Sequence, residues 1–241
     1  MESSGENGDA FYVPPTTYVA HSYANSFSRP TSSSRLFHVY HTSFASSNLT
    51  VTSDDKRHLF YVKNSSFWPG KPNVTLHAGP DKNAPIAAAC KFRCFSDDSK
   101  IALGDPNSVN GVVWEDLTKT SFFSSKYRWD MTIYPGNAPR DTRGHRGERR
   151  TFFWKRTRSI GIGDWVPSVL GSCNWKLVDG RTGGILAVYA HNNLKSFRKS
   201  GKFQINVDYG RDFDTMVLIT GLALLEKQRR KSHGGADGGG G

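Results

Sequence analysis

The run from Asp212 to Lys231 restricts the fold of this chain more than any other stretch. Between Met216 and Leu225 only Thr220 and Gly221 interrupt an otherwise apolar sequence, so a helix there keeps no polar stripe to turn toward water. Asp212 and Asp214 stand where the unpaired N–H groups of a helix start favour an acceptor, and Arg229, Arg230 and Lys231 where its last carbonyls favour positive charge. These signals predict a helix over 213–230. Its ten-residue apolar centre spans roughly 15 Å at ~1.5 Å per residue, about half a bilayer core, so the segment is too short to be a membrane span. It has to be enclosed by protein.

The enclosing material is legible upstream. From Arg35 onward, short β-branched and aromatic runs alternate with turn signals. Strands are expected at Leu36–Phe44, Leu49–Thr52, His58–Lys63, Asn73–His77, Ile86–Phe95, Lys100–Leu103, Val109–Trp114, Ser121–Phe123 and Lys126–Tyr134. Further candidates are Thr151–Thr157, Asn174–Asp179, Gly184–Ala190 and Lys202–Tyr209, the second and third joined through the turn at Gly180-Arg181-Thr182-Gly183. In Ile86–Phe95 the parity of Ile86, Ala88, Cys90, Phe92 and Cys94 is the expected core face. An open sheet would leave half of the apolar helix wet, whereas a closed barrel covers it on all sides. The expectation is therefore a mainly β domain over 35–231, a closed antiparallel β-barrel of about 12 strands around a buried hydrophobic C-terminal helix. Residues 1–34, rich in Ser, Thr and Pro, are expected to be a mostly disordered lead, and 232–241 a Gly-rich flexible tail.

The Trp175-Lys176-Leu177-Val178 strand, the turn at Gly180, the Gly184–Tyr189 strand, the run ending Val207-Asp208-Tyr209 and the terminal Phe213–Arg230 segment together resemble the tubby C-terminal-like superfamily. That group includes Tubby-like proteins, LURP-one-related proteins and phospholipid scramblases, and the look is nearest to uncharacterised fungal members. The resemblance spans roughly 35–231 and rests on element order. It implies a barrel of about twelve strands around the helix and, for some members, phosphoinositide or phospholipid engagement at a basic face. Neither the lipid-contacting cations of Tubby nor the carboxylate cluster associated with scramblases can be placed residue by residue on this sequence.

The formal net charge of +11 is unevenly spread: residues 1–139 carry 13 Lys and Arg against 12 Asp and Glu, residues 140–241 carry 19 against 9. An acidic partner is the natural inference. The candidate anion- or lipid-binding residues are Arg140, Arg143, Arg146, Arg149 and Arg150, then Lys155, Arg156 and Arg158, interleaved with Phe152, Phe153 and Trp154. Guanidinium donors match phosphate oxygens in pairs, and aromatic rings suit a lipid interface or stack on bases. The same run also reads as a solvated loop between strands. A second cluster, Lys195, Arg198, Lys199 and Lys202, falls on the same or the opposite rim.

Cys90, Cys94 and Cys173 form no CxxC pair and read as structural thiols of a reducing compartment. The eight histidines are scattered, and neither a metal-ligand spacing nor a catalytic signature is present, so no cofactor, metal or enzyme activity is expected. No apolar leader precedes the domain, which points to an intracellular protein, cytoplasmic, nuclear or peripheral to a membrane, and monomeric. The expected function is binding of anionic phosphate groups, foremost phosphoinositide or phospholipid headgroups. Nucleic-acid binding through the 140–158 arm and a protein-interaction scaffold are the alternatives.

Overall fold

The structure, a computed structural model, describes residues 34–43, 46–65, 70–109, 111–121, 123, 125–134, 147–163, 174–192 and 198–234. Among the described residues twelve strands precede one helix: β1 (Arg35–His41), β2 (Leu49–Ser53), β3 (His58–Asn64), β4 (Val74–His77), β5 (Ile86–Phe92) and β6 (Ser99–Leu103). Then come β7 (Trp114–Lys119), β8 (Lys126–Ile133), β9 (Glu148–Thr157), β10 (Asn174–Asp179), β11 (Ile185–His191), β12 (Lys199–Ile205) and α1 (Arg211–Gly234). Each strand pairs antiparallel with its neighbour in sequence, and β1 pairs with β12 from Arg35↔Ile205 onward, so the sheet closes. An even number of strands permits that closure to be antiparallel. Twelve also give a wider lumen than the eight that side chains alone can fill, wide enough for a helix about 10 Å across.

Alternating residues of each strand enter the lumen and meet α1, whose residues 216–224 are buried on every side. Phe213 enters an aromatic nest of Trp129, Phe152 and Tyr209, with ring centroids 6.0, 5.3 and 5.1 Å away. The two interruptions of the apolar run both have physical causes. Thr220, fully buried, accepts a 2.9 Å bond from the indole N–H of Trp154 and donates to the carbonyl of Met216 at 2.6 Å. An indole N–H left unpaired there would cost about 1–3 kcal/mol, so a hydroxyl serves better than a methyl. Gly221 lets Phe203 and Trp154 lie against the helix backbone.

Asp212 and Asp214 fall in the first turn of α1, as expected, and Arg35 of β1 holds the Asp214 carboxylate through bonds of 2.7 and 2.8 Å, tying the barrel seam to the helix start. The other end differs from expectation. Arg229 and Arg230 converge on the carboxylate of Glu226, 3 % exposed, at 2.7–2.8 Å instead of serving the last carbonyls. Burial of Glu226 demands that charge more strongly than the exposed helix end does.

Other differences lie at loop edges. The strand expected at Val109–Trp114 falls instead at Trp114–Lys119, and neither Ser121 nor the exposed Phe123 lies in a strand. Glu115 and Asp116 make β7 look like a turn, but Arg149 of β9 and Arg93, just past the end of β5, pair with them. Strand β5 ends at Phe92, so Cys90 reaches the core while Cys94 is exposed in the following turn, contrary to its expected parity. Strand β9 starts at Glu148, taking Arg149 and Arg150 out of the expected loop. Strand β12 starts at Lys199 and ends at Ile205. The lead and the Gly-rich tail from 235 lie outside the described residues, and α1 extends through residues 232–234.

Candidate functional site

The two ends of the barrel divide the expected basic residues. Arg149 and Arg150 sit at the end where α1 enters. Arg149 grips Glu115 with both terminal nitrogens. Arg150 bonds Glu148 at 2.6 and 2.8 Å and the Tyr209 hydroxyl at 3.1 Å. Those guanidinium groups are engaged by the protein itself and fasten its strands. Lys155, Arg156, Arg158, Arg198 and Lys199 lie at the opposite end, where α1 leaves, so the second cluster shares a rim with the far end of β9. Lys202 does not belong to an exposed patch: it is buried within β12. Arg140, Arg143, Arg146 and Lys195 lie outside the described residues.

The interleaved aromatics also change role. Phe152 and Trp154 point into the lumen and are fully buried, because the period-2 alternation of β9 sends even-numbered positions inward. Only Phe153 faces outward, and Lys126 covers its ring at 4.0 Å. No exposed stacking surface remains among these three rings.

Register builds a basic surface that spacing could not show. Lys155 of β9 stands directly opposite Lys126 of β8 and Lys176 of β10 on the outer wall. With strands ~4.8 Å apart, three ammonium groups rise from a row about 10 Å wide. Like charges placed directly opposite destabilise a sheet, and no carboxylate pairs with any of the three among the described residues.

Around the lip of the same corner, inward-facing rim residues form a cleft of about 370 Å³ against the last turns of α1. Lys119 ends β7, Tyr127 is the second residue of β8, Arg156 and Trp175 sit side by side on β9 and β10, and the helix adds Leu224, Lys227, Gln228, Lys231 and Ser232. Helical spacing brings that last set to one face. Asp97, in the β5–β6 turn, pairs with Lys119 at 2.8 Å and with Lys231. Lys227 donates to the carbonyls of Asp97 and Asp98, and burial lowers its ammonium to about 8. Arg156 lies over the Trp175 ring at 5.3 Å and has no carboxylate partner among the described residues. The indole N–H of Trp175 is buried without a hydrogen-bond partner.

Hydrogen bonds from Lys119 and Lys231 lower the Asp97 carboxyl to about 2. A depressed carboxylate contributes stability that is present above its unfolded value near 4 and is lost as pH falls through about 2. The wild-type melting temperature is therefore expected to fall between pH 4 and pH 2 more steeply than that of Asp97→Asn. Identical slopes in acid melts of the two proteins would show that the pairs contribute nothing. The side chain is a quarter exposed, so solvent screening keeps the difference modest.

Of these residues, Arg156, Lys155 and Arg158 belong to the run flagged by sequence. Lys119, Lys126, Lys176, Lys227 and Lys231 do not, and they come from four separate elements. Among the described residues, no helix is long and apolar enough to cross a membrane, and no group of three or more His, Cys, Asp or Glu side chains stands close enough to share a metal ion.

No family model and no curated protein sequence matches the chain. A solved structure of the Arabidopsis thaliana protein AT5G01750 is similar over 81 % of this chain and 91 % of that one, at 13 % identity and a TM-score of 0.43.

Proposed function

We propose that the protein is a non-catalytic binding protein with a tubby-like barrel, whose basic corner at the helix-exit end engages anionic phosphate groups, foremost phosphoinositide and other phospholipid headgroups at a membrane surface. The observation that carries this reading is the Lys126–Lys155–Lys176 row, three like charges held side by side with no carboxylate paired to them among the described residues. Such an arrangement costs stability in the free protein, and a negatively charged surface removes the cost. The closed barrel with its threaded helix supports the superfamily placement. The outer wall supports a lipid partner over nucleic acid, since Phe152 and Trp154 are spent in the core and cannot stack on bases.

Vesicle flotation tests it. Recovery is expected on phosphatidylcholine vesicles doped with phosphoinositide and not on phosphatidylcholine alone. The Lys126→Glu/Lys155→Glu/Lys176→Glu protein should lose more than about a hundredfold in partitioning, since each cation near an anionic surface contributes about 1 kcal/mol and reversal exceeds its loss. Equal recovery on both vesicle types would sink the lipid claim. A gel shift with duplex or single-stranded probes at low salt, without vesicle binding, would move the function to nucleic acid.

A further inference from the structure

We propose that the cleft where α1 enters the barrel is a binding site for a long-chain carboxylic acid, its chain lying along Phe60, Leu103 and Leu218 and its carboxylate meeting Arg211 at the mouth. The site is at the opposite end from the lysine row and goes beyond the preceding reading.

The cleft follows from how the helix begins. Phe213 carries its ring toward Trp129 on β8 and Phe152 on β9. Toward β1, β3, β5 and β6 the first turn offers Arg211, Asp212, Asp214 and Thr215 instead. Among the lining residues, the first apolar one that the helix supplies is Leu218. Leu59, Phe60 and Leu103 are consequently left half exposed around a cleft of about 760 Å³, with the buried Phe37 and Leu218 as its floor. That volume lies within the usual range of ligand pockets, and apolar walls with a few polar groups at one edge are their usual make-up.

Shape, polarity and charge select the occupant. The lining runs from β1 to β6 across six neighbouring strands, an arc of about 24 Å at ~4.8 Å per strand, which an elongated chain follows better than a compact ring. None of the buried side-chain polar atoms that lack a hydrogen-bond partner among the described residues lines this cleft, so its walls call for no polar body. The polar groups gather at the helix start and at Arg35 beside it, which suits a molecule with a single head. Arg35 is already taken by Asp214, at 2.7 and 2.8 Å. Arg211 is exposed and has no carboxylate partner among the described residues. Asp212 beside it opposes an acid, but the amino end of α1 adds about half a positive charge to the same edge, so the balance favours an anionic head.

The test is fluorescence titration of the full chain with cis-parinaric acid, an emissive fatty acid, below its micelle concentration. Saturable one-to-one binding is expected, displaced by palmitic acid and several-fold less well by methyl palmitate. Arg211→Gln should weaken binding by about fivefold, the upper worth of an exposed ion pair, and Asp212→Asn should tighten it. Leu103→Gln should weaken it by about tenfold or more, through lost apolar contact and a polar group set against the chain. Arg211 and Asp212 are exposed, and thermal melts establish that each variant is folded.

No saturable binding by the wild type, or unchanged affinity in both Arg211→Gln and Leu103→Gln, overturns the site. Methyl palmitate competing as well as palmitic acid, or tighter binding in Arg211→Gln, overturns the carboxylate head. A dimer in sedimentation that Leu103→Gln splits would give the cleft to a second copy of the chain and overturn the acid as its occupant.

Discussion

A chain carrying Leu222→Asp is expected not to fold. Leu222 is 1 % exposed, on a helix enclosed by the barrel, within a cluster of buried hydrophobic side chains. Burying the side chain ionised costs many kcal/mol. Burying it protonated still forfeits the leucine packing and leaves a polar group unpaired, several kcal/mol in all. Against a typical total of about 5–15 kcal/mol, that is enough to empty the native state. Leu222→Met, nearly equal in volume, should cost less than about 1.5 kcal/mol and serves as the control. Circular dichroism and size-exclusion chromatography decide the matter: a soluble Leu222→Asp protein melting like wild type would mean that the helix is not the core.

Gly221→Val is expected to have the second largest effect, and Gly221→Ala to reverse a general rule. In an exposed helix, replacing glycine by alanine gains about 1 kcal/mol. Here an added Cβ would stand 2.5 Å from Cε1 and 2.8 Å from Cζ of Phe203, with Trp154 at 3.4 Å. The Phe203 ring is fully buried and packed against Tyr189 at 4.7 Å and Trp154 at 6.3 Å, so it has nowhere to withdraw. Overpacking of about 1–3 kcal/mol therefore outweighs the propensity gain for alanine, and valine adds a β-branched clash. Urea unfolding of Gly221→Ala, Phe203→Leu and the pair supplies the check. The double mutant should recover part of the loss, and strict additivity would show that the two residues do not meet.

The fold was legible because burial on all sides leaves a plain mark. Ten apolar residues with no polar stripe require a surrounding shell, and alternating runs such as Tyr127, Trp129, Met131 and Ile133 supply it. Strand β7 was hidden because the partners of Glu115 and Asp116 are arginines distant in sequence, Arg149 on β9 and Arg93 just after β5, which no local pattern records. The basic corner was only partly legible for a related reason. Arginine density drew attention to 140–150, yet Arg149 and Arg150 are tied to carboxylates, while Lys126 and Lys176 become neighbours of Lys155 only through strand register. Composition reports how much charge a segment holds. Only pairing shows how much of it is left over.

Closure of the barrel through β1 and β12 also constrains how the molecule can be made. The seam joins residues 35 and 205, and the helix that fills the lumen follows every strand. During synthesis, the β1–β11 meander has neither its seam partner nor its filling, and its apolar lumen stays wet until both have emerged. Contacts of such long sequence separation make folding slow, with a growing sheet edge open to other chains in the interval. The protein is thus expected to acquire protease resistance abruptly, when the last strand and the helix have left the ribosome, and to depend on holdase chaperones until then.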